Sequence, residues 1–303
     1  MREDRLKILV TGGTGSLGSA LVEKWHKEHE LIIYSRDLHK QSELRDRTGL
    51  SSDCFILGDI CDREKIIRTI YDGQFDVLIH AAALKVVSQG EENPDEYIRV
   101  NVYGSQIVAS AWHWYGQGKT ALYVNSDKSV SSINLYGMTK AIGEKVFLSY
   151  GFSSIRYGNV VQSKGSFIHK WIKAKRRGDQ VELRLPMPTR FFLTIDDAIS
   201  AIENALKSID DCGDGIYIPT NLQAFDLMSV AKALDIEYRF GVLQKGEKQH
   251  EVLMALDETI DKFGYGGLAK LKHGYDQDRY HYASSETADR ISGDELLRKL
   301  GMK

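Results

Sequence analysis

The sequence predicts an α/β protein with a doubly wound parallel sheet and a smaller, interleaved α/β domain. Over the first 150 residues, short apolar runs rich in β-branched residues alternate with longer segments of helical periodicity. This alternation is typical of parallel strands joined by crossover helices that cover both faces of a sheet. A glycine-rich turn follows the first apolar run. After about residue 160 the alternation weakens and turn residues become frequent, which indicates the second domain.

The predicted elements follow one another along the chain. In the first part we predict strands at Lys7–Thr11, Leu31–Ser35, Cys54–Leu57, Val77–Ala81, Thr120–Asn125 and Ser154–Tyr157, and helices at Leu17–Glu28, Asp62–Tyr71, Asp95–Trp114 and Tyr136–Ser149. Beyond them we predict helices at Asp196–Ser208, Ser229–Leu234 and Glu251–Leu256, and strands at Glu182–Leu185, Gly215–Ile218 and Glu237–Val242. We expect residues 1–160, with about 190–220, to form one domain, and residues 161–189 with 221–303 to form the other.

Composition excludes several classes of protein. A length of 303 residues is typical of about two domains, and 40 basic against 42 acidic residues rule out a bulk-electrostatic nucleic-acid binder or a polybasic membrane protein. The three cysteines have no CxxC spacing, so neither a disulfide framework nor a zinc site is expected. The charged N-terminus shows no signal peptide. We expect a soluble cytoplasmic protein with no metal.

The glycine turn is the first candidate binding site. Gly12, Gly15 and Gly18 follow a GxxGxxG spacing between the first strand and the first helix. In a Rossmann-type fold these glycines permit the tight turn, the approach of a pyrophosphate and close packing of the helix, whose N–H groups face the anion. The alternative is a βα turn without a ligand. The context favours dinucleotide binding by Gly12, Thr14, Gly15, Ser16, Leu17 and Gly18.

The end of the second strand indicates which dinucleotide binds. An acidic residue there holds the ribose 2′-hydroxyl of NAD, whereas Arg accommodates the 2′-phosphate of NADP. Here Ser35 and Arg36 end the strand and Lys40 follows one helical turn later, so we predict NADP, with NAD bound through Asp37 as the less favoured alternative. Asp59 and Ile60, after the third strand, are expected near the adenine. Asp59 could instead be a helix N-cap.

Tyr136 and Lys140 form a YxxxK pair on one face of a predicted helix. An ammonium beside the phenol lowers its pKa, so that Tyr136 can take a proton from a hydroxyl as hydride leaves. Ser126, at the carboxyl end of a strand, can hydrogen-bond the same substrate oxygen. Such a pair often marks only a surface face, but together with the glycine turn it predicts hydride-transfer chemistry.

At this point the chain resembles the extended short-chain dehydrogenases/reductases, and within them the inverting UDP-N-acetylglucosamine 4,6-dehydratases of the polysaccharide biosynthesis family. The matching stretches run in order from residue 8 to about 257. They are Tyr34–Asp37, Leu57–Ile60, His80–Lys85, Ser126–Ser129, Asn134–Lys140, Arg156–Val160, Gly165–Ser166, Thr189–Phe191 and Gly246–Glu251.

The resemblance implies a reaction and its residues. Oxidation at C4 makes the C5 proton of a hexose acidic, and loss of the C6 hydroxyl then needs a base and an acid. The resemblance implies that Lys128 is that base and Asp127 that acid, and that hydride finally returns to C6 to give a 4-keto-6-deoxy sugar. We expect Lys140, a bound nicotinamide and burial to lower the pKa of Lys128. The alternative for the Asp127–Lys128 pair is a solvated turn.

Further residues are expected at the two ligands, so that the first domain binds NADP and the second the nucleotide sugar. Expected cofactor contacts also include Ala81, Ala82, Tyr136, Lys140, Tyr157, Asn159 and Val160. Expected substrate contacts are Lys85, Asn159, Ser166, Thr189, Arg190 and Glu247. For Arg190, beside Phe191, a packing role is an equal alternative. Gln244-Lys245 stands where the family usually has Arg-Pro, so this chain departs from the pattern around the substrate.

The sequence therefore predicts an NADP-dependent lyase that dehydrates UDP-N-acetylglucosamine with inversion at C5, in surface polysaccharide or glycan biosynthesis. Spacing alone does not show the inversion. Alternatives are a nucleotide-sugar 4-epimerase, a dehydratase with a different double-bond placement, and a catalytically silent NADP-binding sensor. We expect a homo-oligomer that binds a UDP-sugar and neither nucleic acid nor membrane.

Overall fold

The large sheet of the protein has nine strands in the order β13-β14-β10-β6-β5-β4-β1-β2-β3. The computed structural model describes residues 5–118, 120–161, 166–274 and 283–302. From β3 to β10 neighbouring strands are parallel, and β14 and β13 are antiparallel additions at one edge. These strands are β1 Lys7–Thr11, β2 Glu30–Ser35, β3 Phe55–Leu57, β4 Val77–His80, β5 Thr120–Val124, β6 Ser153–Ile155, β10 Ile216–Pro219, β13 Glu258–Phe263 and β14 Leu268–His273.

Helices cover both faces of this sheet, as the alternating sequence pattern predicts. In β1, Ile8 and Val10 join one apolar core while Leu9 joins the other, which is the two-residue period of a strand buried on both faces. One face is covered by α1 Ser16–Trp25, α2 Leu38–Thr48 and α9 Ile195–Cys212, and the other by α3 Arg63–Gly73, α6 Ser105–Tyr115 and α7 Leu135–Ser149. The doubly wound fold class is therefore confirmed.

A third apolar core lies under the second, smaller lobe. It packs three helices against two small sheets. The helices of this lobe are α8 Phe167–Arg177, α10 Leu227–Ala233 and α11 Gly293–Lys299. One sheet has the order β11-β9-β7 and the other pairs β12 with β8, the strands being β7 Asn159–Val160, β8 Val181–Leu185, β9 Thr189–Leu193, β11 Gln223–Asp226 and β12 Tyr238–Val242.

The predicted elements agree with the structure over the first domain, with instructive exceptions. All six predicted strands occur there within two residues at either end. The single helix predicted at Asp95–Trp114 is divided into α5 Pro94–Tyr97, a π-helical segment at Ile98–Gly104, and α6. Two helices were not predicted, α2 and the short α4 Val87–Glu92. Their sequences are polar and carry little apolar periodicity.

The last third of the chain differs more from expectation. The helix predicted at Glu251–Leu256 is wrong: this segment is irregular, and its Leu253 and Met254 are buried in the core of the large sheet. Strands β13 and β14, which lie inside the range expected for the second domain, extend the large sheet through β10. Residues 258–273 thus pack with the first domain. Within the described ranges, no helix is long and apolar enough to cross a membrane.

Candidate active site

The glycine turn packs its backbone so closely at the start of α1 that side chains at Gly12 and Gly18 would not fit. Gly12 has φ +74°, and a Cβ there would lie 2.6 Å from the backbone of Ala82. A Cβ on Gly18 would lie 2.4 Å from the carbonyl oxygen of Gly12. Gly15 is the N-cap of α1, with no side-chain capping bond, and the first turn carries no acidic residue. The backbone N–H groups of a first helical turn and the helix dipole suit the pyrophosphate of a dinucleotide, so the residues present fit this group.

The three residues expected at the ribose 2′-position of the cofactor differ in exposure and in the partners they already have. Ser35 is buried and its Oγ accepts from Gln41 Nε2 at 2.9 Å. Lys40 Nζ lies 2.8 Å from Asp37 Oδ2, and Asp37 also caps α2 by accepting from the backbone N–H of Lys40. Arg36 is half-exposed. Of the three, Arg36 is thus the group best placed to meet a phosphate.

Asp59 and Ile60 follow β3 as expected. Asp59 Oδ2 forms an ion pair with Arg99 Nη2 at 3.1 Å and lies 4.0 Å from Arg36 Nη1. The alternative that Asp59 caps the following helix is wrong, because Asp62 is the N-cap of α3. Ile60 is buried in the core beneath α6, so packing accounts for its side chain.

The catalytic turn is the segment from Ser126 to Ser129, between β5 and α7. Ser126 Oγ donates to Asp127 Oδ1 at 2.8 Å. Helix α7 approaches this turn closely, since a Cβ on Gly137 would lie 2.2 Å from the carbonyl oxygen of Lys128. This packing brings Tyr136 to Ser126. Burial raises the pKa of Tyr136 to about 12, against the lowering effects of Lys128 and of a hydrogen bond with Ser126.

Lys140 lies one turn after Tyr136, as predicted, but its charge acts elsewhere. Its Nζ donates to the carbonyl oxygen of Val124 at 2.7 Å and lies 3.9 Å from the ring centroid of Tyr123. Burial lowers the pKa of Lys140 to about 7. The expected lowering of the Tyr136 pKa by Lys140 is therefore not found here; the cation that lowers it is Lys128.

Lys128 and Asp127 form an ion pair, with Nζ and Oδ1 3.1 Å apart. Lys128 Nζ also lies 2.9 Å from Asn159 Oδ1 and 3.3 Å from Glu251 Oε1. Burial alone would lower the pKa of Lys128, but the two carboxylates outweigh it and raise the pKa. Burial raises the pKa of Asp127. The expectation of a lowered Lys128 pKa is thus wrong, because the carboxylates of Asp127 and, to a smaller extent, Glu251 stabilise the ammonium.

The expected substrate residues form a neighbouring polar cluster. Arg190 is buried and donates to the carbonyl oxygens of Thr189 and Gln249 and to Glu247 Oε1. Glu247 also pairs with Arg184. The Thr189 hydroxyl bonds to His250 Nδ1 at 2.7 Å. Arg190 is therefore already paired with Glu247. A diphosphate that binds Arg190 would either displace this carboxylate or lie next to its negative charge.

Other expected contacts are dispersed. Burial raises the pKa of Tyr157, and the nearby Tyr136 adds to that rise. Asn159 and Val160 form β7, and Ala81 and Ala82 follow β4, opposite the glycine turn. In the part of the chain described, no hydrogen bond or ion pair joins Lys85 or Ser166 to the catalytic turn; Ser166 contacts His169 and Lys85 is exposed. Gln162 and Lys164, which also depart from the family pattern, and Gly165 lie outside the described residues.

Two buried groups behind the site were not predicted. His80 is hydrogen-bonded to Thr11 and Ser105, and burial lowers its pKa to about 3. Asn101, in the π-helical segment, bonds both backbone groups of Leu84 and the hydroxyl of Thr139. For Asn101, the sequence signal that could have been used is a polar residue within an otherwise apolar helical pattern. Among the described residues, no cluster of His, Cys, Asp and Glu suits a metal.

Comparison with known proteins shows the family of the chain. Residues 8–272 match the family described as polysaccharide biosynthesis protein. The chain is 32% identical over 271 residues to a UDP-N-acetylglucosamine 4,6-dehydratase (inverting) of Campylobacter jejuni, covering 83% of this chain and 78% of the relative. It is also 29% identical to a UDP-glucose 4-epimerase of Rickettsia typhi, covering 87% of this chain and 82% of the relative.

Solved structures share the fold. Pen from Bacillus thuringiensis superimposes with a TM-score of 0.86 at 22% identity, over 100% of both chains. DesIV, a dTDP-glucose 4,6-dehydratase from Streptomyces venezuelae solved with NAD and TYD bound, gives a TM-score of 0.70 at 18% identity, over 80% of this chain and 87% of that one.

Proposed function

The chain belongs to the polysaccharide biosynthesis protein family of extended short-chain dehydrogenases/reductases, and from that premise we propose that it dehydrates a UDP-N-acetylhexosamine. The proposed substrate is UDP-N-acetylglucosamine and the product a UDP-4-keto-6-deoxy sugar with inverted C5, as the name of the Campylobacter relative suggests. The proposed role is in the synthesis of surface polysaccharide or glycan sugars.

The proposed cofactor is a nicotinamide dinucleotide held at the glycine turn. DesIV, which shares the fold, was solved with NAD. Arg36 at the end of β2 supports NADP for this chain, because a guanidinium matches a phosphate and would be released from Glu96, 3.7 Å away. A nicotinamide held there would supply reversible hydride transfer, for the oxidation at C4 of the sugar and the later reduction at C6.

The protein's own groups move the protons. Tyr136, assisted by Ser126, would take the proton of the C4 hydroxyl. Lys128 would remove the C5 proton once it is a free amine, and Asp127 in its acid form would protonate the departing C6 hydroxyl. Thr189, Arg190 and the neighbouring polar groups would face the diphosphate of the sugar nucleotide.

The observation that carries the proposal is the Asp127–Lys128 pair beside Tyr136, buried at the carboxyl end of β5. Hydride transfer alone does not require an acid and a base at this place, whereas elimination does. The similarity to a UDP-glucose 4-epimerase keeps 4-epimerisation as the second candidate. A silent sensor is disfavoured because it has no use for Ser126 and Tyr136 in contact.

The test is to incubate the protein with UDP-N-acetylglucosamine and NADP⁺ and follow product mass and proton NMR. We expect loss of one water and a new C6 methyl group, and in deuterated water the NMR couplings report the configuration at C5. Asp127→Asn should reduce water loss at least about 100-fold, because the general acid is removed. Asp46→Asn, on the exposed side of α2, is the matched control and should retain the rate.

An unchanged mass with altered C4 stereochemistry would replace dehydration by epimerisation. If no UDP-sugar reacted while NADP still bound, the sensor would be the correct function.

We also propose a homo-oligomer in the cytoplasm. Large apolar side chains are exposed on the π-helical segment and on α6 and α7, which pack side by side: Tyr103, Trp114, Met138 and Ile142. Exposed apolar patches of this kind are typical of protein interfaces, and a two-fold axis lets one patch pack on its own copy. The thiols of Cys54, Cys61 and Cys212 are free, as in a reducing compartment.

A further inference from the structure

A buried carboxylate without a part in the proposed chemistry lies against Lys128. Glu251 is 2% exposed, and its Oε1 lies 3.3 Å from Lys128 Nζ. The same amine contacts Asp127 Oδ1 at 3.1 Å and Asn159 Oδ1 at 2.9 Å. Oxygens from three separate parts of the chain therefore surround the lysine head group.

Contacts on both sides fix the segment that carries Glu251, residues 244–251. Asn134 Nδ2 donates to the carbonyl oxygen of Gly246 at 2.8 Å, and Lys248 Nζ donates to that of Val130. At Glu251 itself the backbone N–H donates to Ser285 Oγ, and the carbonyl oxygen accepts from the Ser285 N–H, both at 2.8 Å. The position of Glu251 beside the catalytic turn is thus built into the fold.

Burial of the Glu251 charge is costly, and the neighbouring cations Lys128, Arg190 and Lys248 offset that cost, so that its pKa lies below the ordinary value. Its Oε2 lies 3.4 Å from Lys248 Nζ, an ion-pair contact without hydrogen-bond geometry. Asp127 already neutralises Lys128, so Glu251 adds a second negative charge to the same pair. A group that served only for packing would be apolar, since a buried carboxylate carries a desolvation penalty and needs cations beside it.

We propose that Glu251 is a positioning residue of the elimination centre, which holds the Lys128 ammonium against Asp127 and keeps one proton shared by that pair. The part of Glu251 in catalysis rests on the proposed function. Before elimination, a Lys128 N–H bond breaks and an Asp127 O–H bond forms, which converts ammonium and carboxylate into amine and acid. Lys128 then gains the C5 proton while Asp127 protonates the leaving hydroxyl, and the ion pair is restored without any redox change.

All charged groups around Glu251 bear on this balance. Lys128 and Asp127 face it from the catalytic turn, Lys248 from its own segment and Arg190 from β9. Tyr136 on α7 faces Asp127 and Lys128. Burial raises the pKa of Asp127 and the charge of Glu251 raises it further, while Glu251 also raises that of Lys128. Removing the Glu251 charge must therefore make both members of the pair lose protons at lower pH.

The first experiment measures Lys128 itself in the cofactor-free protein. Trace acetylation with acetic anhydride across a pH series, followed by peptide mass spectrometry, gives the titration of the Lys128 amine. In Glu251→Gln, which keeps the shape and removes the charge, we expect the Lys128 pKa to fall by about one unit, a tenfold change in ionisation constant. Glu251→Asp keeps the negative charge but places it farther from Lys128, so the Lys128 pKa of this variant should lie between those of wild type and Glu251→Gln. An unchanged Lys128 titration in either variant overturns the inference.

The matched control is Glu286→Gln, a largely exposed carboxylate beside the same segment that faces His250. It should leave the Lys128 titration at the wild-type value, and an equal shift there would overturn the assignment to Glu251.

The second experiment is the pH profile of kcat for water loss. In Glu251→Gln both limbs should move to lower pH by about one unit; a lower kcat with unmoved limbs would mean a structural role and overturn the inference. If wild type released no water, the proposed function would fail, while the acetylation result would still decide the inference.

Discussion

Spacing along the chain predicts the relative position of some residues of the site but not of others. Tyr136 and Lys140 were expected on one helix face, and the structure places them one turn apart on α7. The partners of Lys128 could not be predicted, because Asn159 and Glu251 reach it from distant parts of the chain. Local spacing predicts which side chains lie on the same helix or strand. It does not predict which charged residue from a distant part of the chain packs beside them.

His80 provides a prediction on pH and stability. Its folded-state pKa is about 3, well below the ordinary value of 6.5, because it is buried as a neutral ring. Between these values the unfolded chain binds the proton and the folded one does not, so stability falls as pH decreases from 6.5 towards 3. From pH 7 to pH 5, His80 should reduce the free energy of unfolding by about 2 kcal/mol.

The measurement is urea unfolding at both pH values for wild type and His80→Asn. The asparagine keeps polar atoms near Thr11 and Ser105 but does not titrate, so its loss of stability between pH 7 and pH 5 should be smaller by that amount. An equal loss in both proteins would contradict a neutral, buried His80.

At the scale of elements, one buried network joins three segments. Arg156, just after β6, pairs with Glu144 of α7 and Glu258 of β13, and also donates to the carbonyl oxygen of Leu253. Glu144 in turn accepts from Asn125 and Ser154. The helix that carries Tyr136 is thereby attached to the edge of the large sheet. The guanidinium fork suits two carboxylates at once, which a lysine could not match.

We predict that Arg156→Met lowers the free energy of unfolding by about 3–5 kcal/mol, because it leaves two buried carboxylates unpaired. Denaturant unfolding at neutral pH measures this. Arg177→Met on exposed α8 is the control, expected within about 0.5 kcal/mol of wild type. A small effect of Arg156→Met would mean that solvent reaches the carboxylates of Glu144 and Glu258.

Elements of the first domain were predictable because each strand is a continuous apolar run between helical segments. The last third was not, for two physical reasons. Residues 251–256 have apolar spacing that suits a helix, but backbone bonds to Ser285 and burial of Leu253 stabilise an irregular path instead. Strand β13 lies at the sheet edge and is mostly polar, and β14 beside it also carries charged residues, so alternation was weak in the sequence.

At the scale of the whole molecule, the exposed apolar residues of α6 and α7 bear on assembly. In the proposed oligomer Ile142, which is 48% exposed, would be buried against a second copy. We predict that Ile142→Glu shifts the molecular mass measured by light scattering towards the monomer, because it places like charges at a self-complementary contact. Tyr71→Glu, at a more exposed apolar position on α3, is the control and should leave the mass unchanged. A wild-type monomer would contradict the proposal.

The two antiparallel strands at the sheet edge also constrain how the chain acquires its shape during synthesis. Strand β10 receives β14 as a neighbour only after residue 273 has left the ribosome, and Arg156 waits equally long for Glu258. The N-terminal part therefore cannot complete its core before most of the polypeptide exists. Domains commonly fold one after another as they emerge, at about 5–20 residues per second. In this chain the edge of β10 stays open until β14 has been synthesised, so the first domain cannot be completed before the second.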